Sequence, residues 1–163
     1  MLKQYRIIFC VFVLILFSFT PKVNAQSKPI QIAVLTPIQI FSEDTPISGF
    51  RFNLIYGKNV SVKGLDLGLI NHTTSSLSKG VQMGFIGLVD SDFVGWQYNS
   101  VNVTKGNFEG FQWGIVNYAK YANGFQLGIV NYAESMKGLQ IGLVNIIQQG
   151  GKFPVFPIVN WSF

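Results

Sequence analysis

The sequence predicts an all-β protein, a small antiparallel β-barrel of about eight to ten strands with one strand per repeat. Three observations carry the prediction. First, one octad returns nine times, at starts 29, 49, 64, 80, 95, 110, 124, 138 and 153, and after the first gap the spacing stays at 14 to 16 residues. Second, large apolar residues alternate with Gln and Gly inside each octad, which is the period of a strand. Third, the chain ends on Phe163 with Trp161, Val159 and Val155 at alternate places before it, which resembles the C-terminal assembly signal of outer-membrane barrels.

Residues 1–25 read as a secretory signal peptide. Lys3 and Arg6 form a positive start, Ile7 to Phe19 is apolar, and Ala25 supplies the small residue before the cut. The apolar run falls short of the roughly 20 residues of a membrane span. Residues 26–163 then form a single repeat-built β-domain. Without Lys3, Arg6 and Lys22 it keeps nine basic against seven acidic residues, a net charge of +2. That balance gives no reason to expect nucleic acid. The only cysteine, Cys10, leaves with the leader, so no disulfide or thiol site follows.

The octads are clearest late in the chain. Gly110-Phe-Gln-Trp-Gly-Ile-Val-Asn117 recurs as Gly124-Phe-Gln-Leu-Gly-Ile-Val-Asn131 and Gly138-Leu-Gln-Ile-Gly-Leu-Val-Asn145. Weaker copies start at Gly64, Gly80 and Gly95, and degenerate ones at Pro29, Gly49 and Phe153. The seventh position is always β-branched or Leu, which suits strands. Six to eight mostly polar residues separate the octads and suit turns. Position three carries Gln82, Gln97, Gln112, Gln126 and Gln140; position five carries Gly68, Gly84, Gly114, Gly128 and Gly142. In a barrel, positions two, four and six face lipid and the Gln and Gly residues face the lumen.

Several features resist the barrel. The terminal aromatic pattern lies on the wrong face unless a bulge near Pro154 or Pro157 switches parity. An odd number of octads sits badly with the even strand counts of bacterial barrels, unless Pro37 to Phe41 adds a strand. The connectors do not alternate between long and short. The alternative is a β-solenoid with one coil per repeat, because identical units in one chain direction stack by translation. The two arrangements differ in their contacts. Centre-aligned antiparallel octads pack Gln126 over Gly114 or Gly142. A solenoid stacks Gln126 on Gln140 and makes a second ladder of the Asn at position eight. The solenoid's difficulty is a surface too apolar for water.

At position three, neighbouring octads carry Arg51 and Asp66, and these are expected to form an interior ion pair. Catalytic, cofactor and metal sites are not expected. The lone His72 sits among Thr and Ser in a connector, where it reads as a turn residue. Asp90 and Asp92 have the oxygen chemistry for Ca²⁺, but two acids in a turn are more simply solvated. Trp96, Tyr98 and Trp113 suit either sugar stacking or, better, interfacial anchoring.

The tandem units resemble a family of bacterial surface-repeat proteins whose repeats read like Gly138 to Asn145. The resemblance spans nearly the whole region after the leader and fits least at Pro29 and Phe153. It implies a cell-envelope or surface location and brings no catalytic residues. The expectation is therefore a non-enzymatic envelope protein, a small integral outer-membrane barrel in contact with outer-membrane lipid and inserted by barrel-assembly machinery. A secreted or periplasmic β-solenoid binding module is the second reading.

Overall fold

A computed structural model describes residues 26–163; the expected leader lies outside them. The strands are β1 (Lys28–Leu35), β2 (Ile38–Gln39), β3 (Ile47–Asn59), β4 (Val62–Thr73), β5 (Ser78–Val89), β6 (Phe93–Trp113), β7 (Val116–Leu127), β8 (Val130–Gln149) and β9 (Val155–Ser162). They stand in the order β2-β1-β3-β4-β5-β6-β7-β8-β9. From β1 through β3 to β8 every neighbour is parallel. Only the end strands β2 and β9 run antiparallel.

This is a β-solenoid and not a barrel. Each octad lies on the next in the same direction and in register: Gln82 meets Gln97, and Gln126 meets both Gln112 and Gln140. The Gln-over-Gly packing expected of a barrel is absent. Amide chemistry explains the choice. A stacked amide donates to one copy of itself and accepts from the other, whereas a Gln packed over Gly finds no partner for its buried N–H and oxygen groups.

Four positions of each coil point inward, illustrated by Gln112, Asn117, Ala119 and Ala122, all buried. The last two belong to the connector, so the connectors are not plain turns. Their inward residues build a narrow apolar column that includes Phe93, Phe108, Ala133, Met136 and Ile147. The octad supplies the polar half of the interior. Its leading glycine is needed for two reasons. Gly124 has φ 135°, where side chains are strained, and a Cβ there would strike the Gly110 carbonyl oxygen below.

The ends are closed differently. At the first coil, Gln31 has no earlier Gln to pair with. Its amide instead donates to the Phe41 carbonyl at 2.8 Å and accepts from the Phe41 N–H at 3.0 Å. Residues 37–41, considered as an extra barrel strand, thus form a cap through β2. At the other end β9 reverses, so Asn160 rather than a further Gln faces Gln140. The terminal alternation of Val155, Val159, Trp161 and Phe163 accordingly belongs to a capping strand, and the barrel-assembly motive for it disappears.

Candidate functional site: an apolar side on a spine of buried amides

The Gln column is a directed chain of hydrogen bonds. Gln140 Nε2 donates to Gln126 Oε1 at 2.7 Å, Gln126 to Gln112 at 2.6 Å, Gln112 to Gln97 at 2.8 Å and Gln97 to Gln82 at 3.0 Å. Gln82 donates to Asp66 Oδ2 at 3.1 Å. An ionised carboxylate only accepts, so Asp66 sets the direction of the whole chain. Its charge is met by Arg51, one coil earlier, whose Nε and Nη2 reach Oδ1 and Oδ2 at 2.7 and 2.8 Å. Arg51 Nη1 also donates to the His72 carbonyl at 2.9 Å. Both side chains are shut away from water. The pair is fully hydrogen-bonded, the condition under which a buried ion pair is tolerable.

The Asn column runs the other way. Asn102, Asn117 and Asn131 each donate from Nδ2 to the next coil's Asn Oδ1, ending at Asn145, at 2.8 Å in all three cases. The two columns therefore carry opposed amide dipoles. The mid-octad glycines serve this column rather than the Gln residues. A Cβ at Gly142 would strike the Gly128 carbonyl oxygen and lie 2.6 Å from Asn131 Nδ2.

With the amides inside, the large apolar residues are outside. Positions two, four, six and seven turn outward, and Trp96 is 63% exposed and Leu143 67%. Neighbouring rings join into a patch: Tyr98 meets Trp113 edge-on at 5.0 Å, and Phe111 meets Phe125 at 5.6 Å. Two depressions mark this side. One, of about 560 Å³, lies among Met83, Trp96, Tyr98, Phe111 and Trp113. The other, of about 440 Å³, is an open trough above the mid-octad glycines, walled by Trp113 and Leu127 on one flank and Ile115 and Ile129 on the other.

The polar side carries a chain of titratable groups. His72 lies within β4, one residue before its end, instead of sitting in a turn. Its Nε2 lies 2.8 Å from Asp90 Oδ2 and its Nδ1 2.8 Å from the Tyr56 hydroxyl. Because an ionised Asp90 can only accept, Nε2 is the donor in that contact. Lys105 Nζ holds the other Asp90 oxygen at 2.7 Å. Burial raises the Asp90 pKa, but hydrogen bonds from Lys105 and His72 outweigh it and hold the carboxyl below its usual range. Burial also pushes the Tyr56 and Tyr118 hydroxyls up, with Glu134 adding to the effect at Tyr118.

Asp92 spends its Oδ1 on the Asn107 backbone N–H at 2.7 Å and on the Asn107 side chain at 3.0 Å. Asp90 and Asp92 thus each bind neighbours on the next coil. Among the described residues no three His, Cys, Asp or Glu side chains gather in a way that would hold a metal ion. Tyr56 and Asp90 as partners of His72, and Lys105 as a partner of Asp90, were invisible in the linear sequence. Only the stacking of the coils brings the four side by side. The chain matches no protein-family model, no curated protein and no solved structure.

Proposed function

We propose that this chain is a non-enzymatic, exported β-solenoid of the cell envelope that acts as a binding module through its apolar side. One observation supports this above the others: the cross-section is inverted. Gln and Asn amides fill the octad interior while Phe, Trp, Leu and Ile face outward. Shifting a strand by one residue exchanges its faces, so the opposite arrangement was open to an alternating sequence. Exposing this much apolar surface is costly in water and marks a place that something else covers. The leader over residues 1–25 and the resemblance to surface-repeat proteins support the envelope as the place.

Fractionation of expressing cells tests the reading. The wild-type protein is expected without its leader and in the envelope fraction. A variant carrying Trp113→Thr and Leu127→Thr, which leaves the amide columns intact, is expected in the soluble exported fraction. Finding both proteins unprocessed in the cytoplasm, or both soluble and alike, would contradict it.

A further inference from the structure

We propose that the occupant of the apolar side is the interfacial zone of an anionic lipid bilayer, on which the solenoid lies with its axis parallel to the membrane. This rests on the binding-module reading above and names its partner.

The apolar side is continuous and uncharged. From Phe50 to Val144 the outward positions two, four, six and seven of seven successive coils hold no charged residue. At the strand spacing of a sheet, seven coils extend for roughly 29 Å. A side this long and without charge is the form of a surface helix's apolar face, built here from stacked strands, and such faces seat in the boundary between headgroups and acyl chains. Trp96 stands on it mostly exposed and Trp113 about half-exposed. Neither indole N–H meets an acceptor among the described residues, and an indole so placed suits the headgroup level.

The rim identifies the lipid charge. Just before each leading glycine, next to position two, stands one residue per coil, exposed in every coil but that of the half-buried Val94. Lys63, Lys79 and Lys137 occupy three of these places, against one acid, Glu109. Lys63 and Lys79 lie in register on adjacent strands. Like charges set opposite each other destabilise a sheet, and none of the three lysines forms an ion pair among the described residues. The placement becomes favourable when the rim meets phosphate groups, with the lysine stems lying along apolar surface and the ammonium groups at the headgroups. A second copy of the chain would bring the same cationic rim and has no matching acidic row to offer.

The test is flotation of the purified protein with phosphatidylcholine vesicles with and without phosphatidylglycerol, with quenching of Trp emission by brominated lipid. The protein should float with the anionic vesicles, and their brominated form should quench it. Lys63→Gln, Lys79→Gln and Lys137→Gln together should weaken that partition on the order of a hundredfold. Trp113→Thr with Leu127→Thr should abolish it without changing the β-sheet circular dichroism. Equal binding to neutral vesicles, indifferent to the lysines, would overturn the anionic assignment. Failure to float would overturn the lipid proposal. If light scattering then showed a dimer that Trp113→Thr and Leu127→Thr dissociate, the binding-module reading would survive with another copy on the face. A monomer whose envelope retention ignores those substitutions would remove that reading as well.

Discussion

Asn99 places its side-chain amide in the space that Gly87 leaves open in the Asn column. A Cβ on Gly87 would lie 2.5 Å from Asn99 Nδ2, and that amide instead donates to Asn102 Oδ1 at 2.7 Å. The octads have exchanged positions here: Gly stands where Asn is usual and, one coil later, Asn stands where Gly is usual. Asn53 and Gly57 repeat the exchange within one coil, with the Asn53 amide filling the place beside Gly57.

The exchange makes the two sites interdependent. Asn99→Gly removes the donor to a buried Asn102 oxygen and should cost about 1–3 kcal/mol. Gly87→Asn forces a second amide into filled space and should cost a similar amount, about 1–3 kcal/mol. The double variant restores the usual octad and lets residue 87 bridge Asn71 and Asn102. It should recover most of the loss, with a coupling of about 0.5–3 kcal/mol in a urea double-mutant cycle. Simple additivity would contradict this packing.

Arg51 and Asp66 interrupt a Gln column, which suggests a sharper test than charge reversal alone. Removing either partner leaves a buried charge alone and should cost about 3–5 kcal/mol. Reversing both charges should be tolerated better than reversing one. It should not restore full stability, because Gln82 Nε2 would then face Arg instead of the carboxylate it now binds. Arg51→Gln with Asp66→Gln completes the amide column and should come closest to wild type. Thermal melting of these variants gives the order, and a charge swap that outperforms the Gln pair would refute the directional spine.

The Asp90 cluster makes a modest, pH-dependent contribution. Its folded carboxyl titrates below the usual 3.8, so its stabilisation is present at neutral pH. It is lost as the pH falls below that value through the folded pKa. Lys105 is mostly exposed, so the effect is screened and worth about half a kcal/mol. Urea midpoints between neutral and acid pH should fall less steeply for Asp90→Asn than for wild type, and added salt should narrow the difference. Identical profiles would show that the cluster contributes no stability.

The repeat, its strand character and the recurring Gln and Asn positions were legible because each is a local pattern that recurs at fixed spacing. Parallel against antiparallel stacking was not. Period-two alternation tells which residues share a face, but not which neighbour they meet, and Phe111, Trp113 and Ile115 suit a lipid-facing barrel wall as well as a solenoid exterior. The connectors misled for a related reason. Ala119 and Ala122 read as spacer residues, yet both are buried in the apolar column, where Ala122 lies between Phe108 and Met136 of the neighbouring coils. Gly87 and Asn99 read as lapses in the repeat until the coils were aligned. The signal that would have paired them is the column, read down successive repeats at the same position.

In-register parallel stacking underlies the whole account, and paired cysteines test it directly in a Cys10→Ser background. Phe111 lies opposite Phe125 on the next coil. Phe111→Cys with Phe125→Cys should be joined efficiently by a short bis-thiol reagent, seen as a mobility shift on a denaturing gel. Phe111→Cys with Ile129→Cys, which antiparallel octads would bring together, should stay unlinked. Efficient joining of the second pair and not the first would contradict the solenoid and restore the barrel.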